Sequence, residues 1–118
     1  MAKSDMLNWA EKVNWILLGL TMLVAGLLKV FVITPEGVSG MFAGLGFPAP
    51  TVLAWIVIVA EIVSGALILA KWRLKYVVYV PIIILIVATF TANLGNYVNM
   101  LIHLALAANY WRLGVKAD

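Results

Sequence analysis

Residues Ala54–Leu69 read AWIVIVAEIVSGALIL. Every position is apolar or small except Glu61 and Ser64. With its flanks, the apolar run extends from about Thr51 to about Ala70. As a helix it spans about 30 Å, the thickness of a bilayer's hydrocarbon core. A carboxylate at the centre of such a helix costs at least about 2.5–3.5 kcal/mol. The stretch therefore raises two questions: which solvent surrounds it, and what Glu61 meets there.

Composition answers the first. The chain has 118 residues, 65% of them hydrophobic and only 11% charged. Soluble domains carry about twice that charge, near 25%. The mean hydropathy is +1.09. A single domain of this length cannot hide so much apolar surface from water, so lipid is the expected solvent. Lipid gives the backbone no hydrogen-bond partners, which demands helices.

Three more apolar segments run from about Val13 to Ile33, Leu74 to Ala92 and Leu94 to Trp111. The last two are short, which implies tilt or local thinning of the bilayer. The expected fold is all-α, one integral membrane domain over residues 1–118, with four transmembrane helices. The N-terminal run is too long for a signal-peptide core and no small-x-small cleavage site follows it, so it reads as retained.

Lys and Arg set the orientation. Lys3 and Lys12 precede the first segment, Lys71, Arg73 and Lys75 join the second to the third, and Arg112 and Lys116 follow the fourth. The loops around Thr34–Pro50 and Asn93–Asn96 have none. This asymmetry predicts a multi-pass protein of the cell membrane with both termini cytoplasmic. Trp9, Trp15, Trp72, Tyr76, Tyr110 and Trp111 read as inner interface anchors, and Tyr97 as an outer one. The net charge of +3 reflects these flanking cations rather than a nucleic-acid surface.

The first outer loop, TPEGVSGMFAGLGFPAP, combines Gly and Pro with Met41, Phe42, Leu45 and Phe47. A short interfacial or re-entrant helix from about Val38 to Leu45 would bury those four side chains. Gly40 and Gly44 would let it approach another backbone. Pro81 interrupts the third segment and frees the Val77 carbonyl, which predicts a kink.

The polar residues at membrane depth are Lys29, Glu61 and His103, with Asn96 and Asn99 nearby. Gly19, Met22, Gly26 and Lys29 share one face of the first helix. Ala54, Glu61 and Gly65, with Ser64 alongside, share one on the second. Asn96, Asn99 and His103 share one on the fourth, continuing to Tyr110. Small and hydrogen-bonding residues mark helix contacts, so these faces are expected to meet inside the bundle, Glu61 with Lys29, His103 or both. Two meanings stay open. The pair fixes helix register and nothing more, or Glu61, Lys29, His103 and Asn99 line a polar pocket for a quinone-like head group. A proton or ion path is a third reading, with one deep carboxylate against it.

His103 is the chain's only histidine and Cys is absent. One copy therefore builds neither a bis-His haem site nor a thiolate site, and no metal or haem is expected. No nucleophile elbow, phosphate loop or zinc motif is present. The chain alone does not read as an enzyme.

Three pieces carry a family resemblance: LLGLTMLVAGLLKVF in the first helix, FAGLGFPAP before the second, and AEIVSGALILA within it. They resemble the DoxX family of small four-helix membrane proteins, whose motif positions Lys29 and Glu61 occupy. The C-terminal NYWRLGVKAD departs from the family's tail, so nothing is carried over to His103. The resemblance implies a non-catalytic membrane subunit of a quinone-linked redox complex, like those that oxidise thiosulfate with a quinone as acceptor. Its partners would be the lipid bilayer and another membrane or peripheral redox subunit. Small faces such as Ala60/Ser64 and Gly40/Gly44 allow a homo-oligomer. The alternatives are a structural or interaction protein and a small carrier or channel.

Overall fold

The computed structural model describes residues 2–91 and 95–116, and all regular structure among them is helical. In chain order the helices are α1 (Lys3–Phe31), α2 (Pro35–Gly44), α3 (Pro50–Leu69), α4 (Leu74–Val77), α5 (Tyr79–Phe90) and α6 (Tyr97–Val115). By length and composition, α1 and α3 are long and apolar enough to cross a membrane, and Leu74–Phe90 is a shorter apolar helix. The expected ends of the third and fourth segments, at Ala92 and Leu94, lie outside the described residues.

α1 begins ten residues before its apolar run at Val13. At 1.5 Å per residue its 29 residues reach about 43 Å, so the polar turns over 3–12 project past a hydrocarbon core of about 30 Å. α2 also starts earlier than expected. Thr34 accepts a hydrogen bond from the Gly37 amide at 3.1 Å, and Pro35 holds the first helical position. At the other end Gly46 takes φ +83°. Its amide bonds to the Ala43 carbonyl, the Phe47 amide bonds to the Phe42 carbonyl, and the two Phe rings meet edge-on at 5.5 Å. This is a Schellman stop with its hydrophobic contact.

Burial in α2 corrects the sequence expectation. Val38 is buried and Phe42 and Phe47 half-buried, but Met41 and Leu45 are exposed. Gly40 and Gly44 approach nothing: a β-carbon on either would meet no atom within 4 Å. A ten-residue helix lying mainly on α3, with a smaller contact to α1, buries a single stripe, and that stripe runs through Val38.

The third segment divides at Val78, between α4 and α5. Pro81 has no N–H to give the Val77 carbonyl, and the ladder resumes with the Ile82 amide on Val78. The predicted interruption is where the proline chemistry puts it.

α3 is the central element, packing against α1, α2 and α5, while α6 packs on α5 and closes onto α1. The core gathers Leu18, Met22, Ile68, Leu74, Val77, Val78, Leu85, Ala107 and Tyr110. The outside is as apolar as the inside. Leu17, Leu20, Val24, Leu27 and Phe31 of α1, and Val52, Ile56, Val59 and Val63 of α3, are all exposed. Water would penalise such a surface at about 25 cal/mol per Å², whereas lipid does not.

Candidate functional site

α1 and α3 run antiparallel. Trp15 and Gly19 lie level with Ile68, and Gly26 with Ile58 and Ile62. The backbones are close because glycine faces the neighbour. A β-carbon at Gly65 would lie 2.5 Å from the Leu23 nitrogen and 2.9 Å from the Gly19 carbonyl oxygen. One at Gly26 would lie 2.5 Å from Ile62 Cγ1. The buried positions are Leu18, Gly19, Met22 and Gly26 on α1, and Ala54, Ile58, Glu61, Ser64, Gly65 and Ile68 on α3. The two faces read from helical spacing are those that meet.

The Lys29–Glu61 pair lies in this seam. Lys29 Nζ donates to Glu61 Oε1 at 2.7 Å. By register Lys29 stands beyond Glu61, toward the C-terminal end of α1. Side chains lean toward the N-terminus of their own helix, and in an antiparallel pair those directions oppose. Lys29 therefore leans back along α1 while Glu61 leans toward it. The two side chains differ in access: Glu61 is 1% exposed and Lys29 25%. The more accessible partner is Lys29, whose ammonium has three N–H groups and gives one to Glu61. Ser64 Oγ donates to the Glu61 backbone carbonyl at 3.3 Å and stays within its own helix.

His103 and Asn99 are not brought to this pair. His103 Nδ1 lies 2.7 Å from the Asn99 carbonyl oxygen, one turn back on α6. Asn99 gives its amide to Asn96 Oδ1, the side-chain cap of α6. Among the described residues no hydrogen bond or ion pair joins His103 or Asn99 to Glu61. A polar side chain on a membrane helix can satisfy itself on a carbonyl four residues back. Thr21, Thr89 and Asn109 do the same.

Two inter-helix hydrogen bonds made by aromatic side chains escape the sequence reading. Tyr110, fully buried, donates from its hydroxyl to the Leu18 carbonyl of α1 at 2.5 Å. Trp15 Nε1 donates to the Ile68 carbonyl of α3 at 2.5 Å. Both aromatics stand near segment ends beside cations, where an anchor and a clasp look alike in sequence. The only hint for Tyr110 is its place on the face that begins at Asn96.

A quinone would need an acceptor-binding group and room for a ring. The seam holds one donor of that kind, the Lys29 ammonium. None of the described cavities is lined by Lys29 or Glu61.

No curated protein and no solved structure matches this chain. The DoxX family model matches residues 16–94, which contain α1 from Ile16 onward, α2, α3, the broken helix and both members of the ion pair. An inside-out apolar helical protein joined through that match belongs to the DoxX family of membrane proteins.

Proposed function

We propose that the chain is a non-catalytic membrane subunit of a quinone-linked redox complex. It crosses the cell membrane four times, with α2 lying in or near the interface and both termini cytoplasmic. The observation that carries the reading is the Lys29–Glu61 pair, buried between two glycine-faced helices within the family match. Charge at that depth is costly and is retained where it is used. Glu61 holds the ammonium in place, and the 25% of Lys29 left open is the part that would meet a quinone carbonyl. The quinone would supply the electron-accepting chemistry of the complex. This chain would supply a hydrogen-bond donor on the lipid side, shared with a partner subunit that completes the pocket.

The test is native mass spectrometry after gentle extraction from the native membrane, with quinone extraction and chromatography in parallel. A partner subunit, or a quinone mass lost in Glu61→Gln, supports the proposal. A bare monomer or homo-oligomer without quinone overturns it in favour of a second reading, in which the pair only fixes the register of α1 on α3. That reading is favoured by one feature: Glu61 is sealed at 1% exposure in a seam where glycines bring the two helices close.

A further inference from the structure

The charge at the other end of the helices is arranged differently. Six cations from three parts of the chain surround one open cavity of about 570 Å³. They are Lys12 from α1, Lys71, Arg73 and Lys75 from the turn between α3 and α4 and its edge, and Arg112 and Lys116 from α6. Among the described residues, Glu11 is the one carboxylate in the lining. It takes a hydrogen bond from Lys116 and lies 3.8 Å from Arg112. Lys116 holds the Glu11 carboxyl below the usual carboxylate range, so it is charged at neutral pH.

The turn is built in a way that keeps cations there. α3 ends in a Schellman stop, the Lys71 amide bonding to Ile68 and the Trp72 amide to Leu67. That geometry usually takes glycine. Here Lys71 has φ 56° and Arg73 φ 48°. Each non-glycine residue in this region costs on the order of 1 kcal/mol. Lys71 Nζ stands 4.3 Å from the centre of the Trp15 ring, which also lines the cavity. The level is therefore aromatic as well as cationic, as at the edge of a bilayer. Exposed apolar side chains continue along the helices from that rim, among them Val13 and Leu17 on α1.

We propose that this basin binds the phosphate-bearing head group of an anionic phospholipid, whose acyl chains lie along the apolar flank. The volume is within the roughly 300–1,000 Å³ of small-molecule sites. The surplus of positive charge selects an anion, and the aromatic rim and apolar flank select one that carries acyl chains. The site is independent of the Lys29–Glu61 seam.

The full chain in a non-ionic detergent is titrated with phosphatidylglycerol, with phosphatidylcholine of the same chains and with inorganic phosphate, and bound lipid is read by native mass spectrometry. One phosphatidylglycerol should bind at least about tenfold more tightly than phosphatidylcholine. Millimolar phosphate should not displace it. Lys71→Gln with Arg73→Gln should weaken phosphatidylglycerol about tenfold at unchanged melting temperature. If that double variant fails to fold, Lys12→Gln with Arg112→Gln, from two other walls, should give the same loss. Equal affinity for the two lipids, or unchanged binding in a folded variant, overturns the site. Binding of phosphate alone, with no lipid preference, overturns the lipid as its source.

Discussion

The α1–α3 seam and the basic rim treat charge in opposite ways. In the seam one ammonium meets one carboxylate at 2.7 Å, with a helix backbone on either side. At the rim six cations and, among the described residues, one carboxylate line an open cavity. The difference follows from the surroundings. An unmatched charge at membrane depth is costly, so charge there is balanced one for one. At the edge, water and head groups solvate each cation, so the count need not balance and the surplus is free to attract something.

Substitutions that break the seam should therefore cost most. Lys29→Met leaves Glu61 buried and unpaired, and about 3–5 kcal/mol of stability should go, read by denaturation in detergent micelles. Glu61→Gln should cost clearly less, because the amide oxygen still accepts and Lys29 can swing outward. Replacing both with apolar residues, Lys29→Met with Glu61→Leu, should restore most of the loss while abolishing any quinone retention. Equal losses for the two single variants would contradict the asymmetry in exposure.

Gly65→Ala comes next. Its β-carbon meets the Leu23 and Gly19 backbones, which cannot rotate away, so overpacking should cost about 1–3 kcal/mol. Gly40→Ala, equally a helical glycine but in open space, serves as the control and should not destabilise. Tyr110→Phe removes one inter-helix hydrogen bond and keeps the ring. About 0.6–1.7 kcal/mol should be lost.

The smallest effect belongs to the rim. Glu11 is 41% exposed and its partners more so, and Glu11→Gln should leave the melting temperature at pH 7 almost unmoved. Its acidity is raised by Lys116, so the tie to α6 is complete above the ordinary carboxylate pKa of about 4.3 and fades as the pH falls below it. A melting curve against pH that differs between wild type and Glu11→Gln only in that acidic range would match. The absence of cysteine permits a separate check of topology. Single cysteines at Lys3, Trp72 and Lys116 should label from the cytoplasmic side, and at Glu36 and Tyr97 from the outside.

Much of the seam was legible because helical spacing alone puts Gly26 and Lys29 on one face, and Glu61 and Gly65 on another. Two such faces on neighbouring helices have few other ways to be buried. The fourth helix was not legible in this way. His103 Nδ1 lies against the Asn99 carbonyl and the Asn99 backbone amide against Asn96, and helical spacing cannot tell such local contacts from a contact with Glu61. Met41 and Leu45 misled because hydrophobicity marks lipid-facing and buried positions alike when the solvent is apolar. The basin was invisible for a different reason: its cations come from near both ends and the middle of the chain, and only the closure of α6 onto α1 assembles them.

That closure has a consequence in time. Tyr110 reaches Leu18 across 92 positions of sequence, and Lys116 reaches Glu11 across 105. The α1–α3 seam needs nothing beyond Leu69, whereas the clasp must wait for another 41 residues. At a synthesis rate of roughly 5–20 residues per second, that is a delay of about 2–8 s. During it, a three-sided bundle would stand open along the flank that α6 later covers. The emerging protein would then have a ready-made seat for a neighbouring chain that arrives before its own last helix does.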